Sequence, residues 1–255
     1  MARPRILLVP TLTELEWTIK PLLEEWADVA SYDAPGMGDE PPPDGLLTPA
    51  AARRGLAELD RRGWDRCVVA GDEFGSLAAV LLARARPDAV EALVIGHATI
   101  SYSRSGDRPA VNPAVTDGLA QLAEADFRSF VRQEFRAWHG ERSAMADAPG
   151  PDRLAEGYLE RVSHEQANAF FRELVDHEED IAPLIRGAIE GVEMPLLLVR
   201  HEGCLMFTEE GYEDAVAALP DAARASTRDK PTVDPAFSEI LREFCLTQLP
   251  TVAPR

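Results

Sequence analysis

The segment Val68-Val69-Ala70-Gly71-Asp72-Glu73-Phe74-Gly75-Ser76-Leu77 sets a carboxylate between two glycines, after a short apolar run and before an apolar helical stretch. Glycines at 71 and 75 allow a sharp, strained turn that lifts the central side chain above the strand ends. Glu73 presented in that way is not expected to attack a substrate and form an ester, since the chain offers no base placed to cleave one. Held in a partly apolar pocket, it can instead have its pKa raised and act as a general acid or base. Three groups of residues could serve it. His97 directly follows an apolar run that reads as the next strand, so it should face the same crevice and share acid/base work, the alternative being a hydrogen-bonded structural histidine. Arg228 and Lys230 lie in a polar loop before the last helix, where a cation would pair with Glu73 and favour its charged form; the alternative is that both point into solvent. Trp138 and His139, at the end of a helical pattern, are candidates to line an apolar ligand pocket, the alternatives being core or lid packing for Trp138 and solvated surface for His139. His164, Glu165, His177 and the acidic run Glu178-Glu179-Asp180 invite a metal reading. The interval of thirteen between the histidines does not bring them together on one helix face, so no metal site is expected.

The elements that must position these groups are short apolar runs alternating with helical patterns, the signature of parallel βαβ units. Strands are expected at Ile6–Val9, Val29–Tyr32, Cys67–Ala70, Ala92–Ile95, Leu196–Val199 and Ala223–Ser226. Helices are expected at Leu15–Glu25, Pro49–Arg61, Phe74–Arg86, Glu209–Leu219 and Pro235–Leu246. Thr13-Glu14-Leu15-Glu16 reads as a capping box, and Thr48-Pro49 and Asp234-Pro235 as N-caps followed by proline at the first helical position. Residues 98–193 break the rhythm: they hold helical patterns such as Phe127–Trp138 and Gln166–Val175 but no convincing strand. The predicted class is therefore α/β, a mostly parallel sheet flanked by helices. Its core is built from residues 1–97 and 194–255, with residues 98–193 inserted as a helical lid.

The strand, glycine-bounded turn and helix around Glu73 resemble the nucleophile elbow, Gly-x-Ser-x-Gly, of the α/β-hydrolase family. Asp33-Ala34-Pro35-Gly36-Met37-Gly38-Asp39 is similar to the loop that follows an earlier strand in that family, and Met194–Val199 to its late strand. The resemblance runs along nearly the whole chain, in order, with the insertion where the family keeps its lid. It implies oxyanion donors from the backbone N–H groups of Phe74 and Leu12, which survive changes of side chain. It also implies an acid after the late strand, a position that falls on Cys204, and a histidine before the last helix. This chain departs from the pattern at each place: Glu73 stands for serine, Cys204 for the acid, Thr227–Asp234 holds no histidine, and Pro10-Thr11-Leu12 replaces the usual His-Gly. An anionic Glu73 next to the oxyanion donors would itself fill the hole.

Two functions follow. One is an atypical α/β-hydrolase-fold enzyme acting on a small, largely apolar organic molecule without serine-type acyl transfer. The other is a non-catalytic member that binds a ligand or a protein partner. Forty-four acidic residues against 26 basic ones give a net charge of −18, which repels phosphate backbones and anionic lipid surfaces, so no nucleic-acid or membrane partner is expected. No stretch approaches the length of a membrane span. Three widely spaced cysteines suit reduced thiols, and with no signal-type leader the expected location is cytoplasmic. No cofactor is expected, and oligomeric state is left open, a homodimer included.

Overall fold

The computed structural model describes residues 3–96, 112–139, 150–202, 204 and 208–249. Its strands are β1 (Arg5–Val9), β2 (Asp28–Ser31), β3 (Cys67–Gly71), β4 (Val90–Gly96), β5 (Leu196–His201) and β6 (Ala223–Thr227). The helices are α1 (Lys20–Glu24), α2 (Leu47–Arg62), α3 (Phe74–Ala85), α4 (Pro113–His139), α5 (Pro151–Arg161), α6 (His164–Asp176), α7 (Glu178–Ile189), α8 (Glu209–Ala218) and α9 (Pro235–Gln248).

Side chains alternate across a strand, so Ile6 and Leu8 of β1 enter one layer and Leu7 and Val9 the other; all four are fully buried. A strand apolar on both sides needs cover on both sides, which a parallel sheet supplies through its crossover helices. The order is β2-β1-β3-β4-β5-β6, and every pairing is parallel. One face packs on α2, α3 and α8, the other on α1 and α9. Val9 is level with Gly71, and Gly71 with Ile95, so β1, β3 and β4 end together at one edge of the sheet.

Two sequence expectations need correction. The single helix expected over Leu15–Glu25 is a 3-10 turn, Glu14–Glu16, followed by α1. Pro21 has no N–H to give to Trp17 and its ring would clash with the preceding turn, so the helix restarts with proline in its first turn. Thr48 does not cap α2, which begins at Leu47. The N–H groups of Leu47 and Thr48 donate instead to the Glu173 carboxylate of α6, at 2.9 Å for Thr48. Asp234 does cap α9, accepting from Ala236 N–H at 2.9 Å.

Helices α4 to α7 lie between β4 and β5 in the chain and pack over the edge where the strands end. Phe130, Val131 and Phe135 of α4, Tyr158 of α5 and Phe170 of α6 share one apolar cluster with Leu12, Met37, Phe74 and Leu77. Polar ties supplement it. Arg161 Nη1 donates to Asp33 Oδ2 at 2.9 Å, Gly38 N–H donates to the Arg161 carbonyl at 2.8 Å, and the Gln166 side-chain amide donates to the Gly36 carbonyl.

Candidate functional site

Glu73 has φ +48° and ψ −123°, the one positive φ outside glycine among the described residues. An L side chain there is held against its own backbone preference. What enforces it is close packing on either side. A Cβ at Gly71 would lie 2.6 Å from the Gly75 carbonyl oxygen, and one at Gly75 would lie 2.6 Å from that of Val9. Ser76 Oγ lies 2.9 Å from both the Gly71 and Gly96 carbonyls. The turn is thereby clamped between β1, β3 and β4, and its carboxylate stands at the strand ends, 7% exposed.

Lys230 comes to meet it. Asp234, besides capping α9, accepts from the backbone N–H groups of Arg228 and Asp229 at 3.0 and 3.1 Å. The Lys230 carbonyl accepts from Val233 and Asp234 N–H, both at 2.9 Å. This tight loop aims Lys230 inward, 4% exposed, with Nζ donating to Glu73 Oε2 at 2.6 Å. Burial alone would depress the ammonium, but Glu73, Asp72 and Glu16 together hold its pKa above the ordinary range.

Two more carboxyls close the site. Glu16, on the 3-10 turn after β1, accepts from Thr11 N–H at 2.8 Å, Leu12 N–H at 3.0 Å and Thr13 N–H at 3.4 Å. Burial raises its pKa to about 7 against the pull of Lys230 and of those amides, and Glu73 adds to the rise. Glu134, on α4, is also raised to about 7, by burial first and then by Glu73, with Lys230 opposing. No hydrogen bond or ion pair engages Glu134 among the described residues. Tyr158 faces both acids, and its hydroxyl is pushed well above the usual phenol value by burial and by their charge. The four ionisable groups Glu16, Glu73, Glu134 and Lys230 border a cavity of about 60 Å3 whose remaining wall is largely aromatic. Phe74 and Phe170 meet edge to face at 5.4 Å, as do Phe135 and Tyr158.

Neither a protein-family model nor a curated protein sequence matches the chain. Solved structures do match it. The 2-hydroxy-6-oxo-6-phenylhexa-2,4-dienoate hydrolase of a Rhodococcus species superposes with a TM-score of 0.75 at 13% identity, covering 95% of this chain and 90% of that one. The enol-lactonase of Burkholderia xenovorans gives 0.69 at 17% identity, with 96% and 92% covered. A hydrolase of Pseudomonas aeruginosa gives 0.68 at 18%, with 97% and 90% covered. The chain has the α/β-hydrolase fold.

Within that fold, Glu73 lies on the strand-to-helix elbow and Lys230 in the loop between the last strand and the last helix. The ion pair between them realises the pairing the sequence suggested, through Lys230 and not Arg228. Arg228 is exposed and does not line the cavity, a correction with a simple cause: its backbone is tied to Asp234 while its guanidinium stays in water. Cys204 is half-buried after β5 and likewise does not line the cavity, because the chain there turns back, Cys204 N–H donating to the His201 carbonyl at 3.4 Å. Phe74 and Leu12 do line it. The Leu12 N–H, however, is already donated to Glu16, so the acid that fills this donor is Glu16 and not Glu73. His97 lies outside the described residues, as do the side chains of Trp138 and His139. Among the described residues no group of His, Cys, Asp and Glu is arranged to hold a metal, and no helix is long and apolar enough to cross a membrane.

Sequence reading missed Glu16 and Glu134 as site residues. Glu16 was accounted for as a helix cap. Glu134 carried a signal: Phe127, Phe130, Val131 and Glu134 follow the i, i+3, i+4, i+7 spacing of one helix face, so a carboxyl interrupts the buried stripe of α4.

Proposed function

We propose that this protein is an atypical α/β-hydrolase-fold enzyme that moves a proton on a small, largely apolar organic molecule, with the serine-type triad replaced and residues 98–193 serving as its lid. One observation carries the reading: beside an aromatic-walled cavity, an elbow carboxylate is locked to a buried lysine while two further carboxyls are held near pH 7. A general acid or base works best when its pKa lies near the operating pH, and burial has brought Glu16 and Glu134 there. Glu73, held at 2.6 Å by Lys230, is then the orienting carboxylate, and Glu134, engaged by no hydrogen bond or ion pair among the described residues, is the group that gives or takes the proton. Acyl transfer is disfavoured by the same geometry, since the Leu12 N–H that would steady an oxyanion already serves Glu16.

The cavity also limits size. Its space is about 60 Å3, which suits a small molecule. A second reading, a binding protein without turnover, is favoured by one specific feature: the Glu73–Lys230 pair fills the place of a nucleophile and its base with a closed ion pair.

Small ketones, epoxides and acyl esters, presented in deuterated water and followed by NMR, separate the readings. Proton exchange or ring opening that disappears in Glu134→Gln, with ester turnover at background, is the expected result. Binding that Glu73→Gln and Glu134→Gln leave unchanged, with no product from any compound, assigns the chain to the binding reading. Robust ester hydrolysis abolished by Glu73→Ala overturns the proposal.

A further inference from the structure

The cavity lining carries three carboxyls, Glu16, Glu73 and Glu134, against one ammonium, Lys230. These groups are not equivalent toward a ligand. Glu16 spends its oxygens on three backbone amides, and Lys230 answers Glu73 at 2.6 Å with Asp72 and Glu16 adding their field. An incoming anion would therefore find a lysine already compensated and three acids around it. Glu134 is the group left over: a carboxyl on the buried face of α4, bordering the cavity, engaged in no hydrogen bond or ion pair among the described residues. The walls around it are apolar, from Phe130, Val131 and Phe135 on its own helix and from Ala167 and Phe170 on α6.

We infer that the cavity takes a small alkylammonium ion, its cationic head held by Glu134 with Glu73 behind it and its carbon chain lying among Phe130, Phe135 and Phe170. The inference rests on the proposed small-molecule pocket and names the class of molecule it selects. A cation there halves the excess of negative charge around the cavity, and aromatic rings favour an organic cation over a hydrated metal ion. A neutral molecule gains the apolar contacts alone. An anion adds a fourth negative charge to a low-dielectric space.

Binding of this kind is linked to protons. The titratable groups that share the cavity with Glu134 are Glu73 from the elbow, Lys230 from the loop before α9, Glu16 from the 3-10 turn and Tyr158 from α5. With Glu134 raised to about 7, the ammonium at pH 6 must expel a proton from its carboxyl to solvent, and at pH 8 it meets a carboxylate. One such proton makes binding about tenfold tighter at pH 8 than at pH 6.

The test uses the full chain and three probes of matched length: butylammonium, 1-butanol and butyrate, titrated by calorimetry at pH 6 and pH 8 in buffers of different ionisation enthalpy. The expected result is butylammonium binding at least tenfold tighter than either other probe, releasing close to one proton at pH 6. Glu134→Gln, nearly the same shape, should lose that preference and its pH dependence while still taking 1-butanol. If 1-butanol or butyrate binds as well as butylammonium, or ammonium binding is flat with pH, the cationic selectivity is overturned and the pocket itself stands. If none of the three binds in any variant, the pocket reading falls together with it.

Discussion

Replacing Lys230 by methionine isolates the electrostatic core of the site. Nζ and Glu73 Oε2 are 2.6 Å apart, and both residues are less than a tenth exposed. Removing one partner of such a buried pair costs about 3–5 kcal/mol, because the other charge stays behind without compensation. Here the cost should reach the upper end. Lys230 also offsets Asp72, Glu16 and Glu134, so Lys230→Met leaves four acids facing one another. Glu73→Gln is milder, about 1–3 kcal/mol, since Lys230 retains Asp72 and Glu16. The double variant Lys230→Met with Glu73→Gln should lose at least 2 kcal/mol less than the sum of the single losses, the sign of direct coupling. Urea unfolding at pH 8, followed by tryptophan fluorescence with the slope checked for constancy, measures all three. The loss in Lys230→Met should also shrink at pH 5, where Glu16 and Glu134 take up protons. A cost below 1 kcal/mol for Lys230→Met, or additive losses in the double variant, refutes the picture of a desolvated, mutually dependent pair.

Two other predictions concern stability. Glu16 and Glu134 have folded-state pKa values near 7 against an ordinary 4.5, so the folded chain binds more protons than the unfolded chain between those values. Their contribution is fully present below pH 4.5 and lost as pH rises through 7, on the order of 3 kcal/mol for Glu16; unfolding free energies at pH 5 and 8 should show the fall, and Glu16→Gln should flatten it. Glu173→Ala removes the carboxylate that serves the first N–H groups of α2, at a cost of about 1 kcal/mol, and amide hydrogen exchange at Leu47 and Thr48 should accelerate while that of β3 is unchanged.

The fold was legible because its determinants are local. Apolar runs of four to five residues, glycines at 71 and 75 and the Asp234-Pro235 start each fix their own element, and the elements occur in the order the sheet requires. The elbow was legible for the same reason, from its glycines, while the loop before α9 offered a cation for Glu73 without saying which one, or whether either would turn inward. Partners chosen across the fold were hidden. Nothing near Thr48 announces that its amide is served by Glu173, 125 residues on. Arg228 and Lys230 look alike in sequence, and only the turn pinned by Asp234 sends one to water and the other to Glu73. Glu16 sits where a capping acid belongs and does accept from the Thr13 N–H, so its second duty at Thr11 and Leu12 left no separate trace.

The ties from Glu173 to α2, from Arg161 to Asp33 and from Gln166 to Gly36 bear on how this architecture could be altered. In a fold whose roof is only laid on top, the roof can be transplanted between relatives to change specificity. Here the roof supplies a missing end to a helix of the foundation. A chimera that exchanges α4 through α7 must bring a matching carboxylate for Leu47 and Thr48, or install one in the core, before any new pocket it carries can rest on an intact frame.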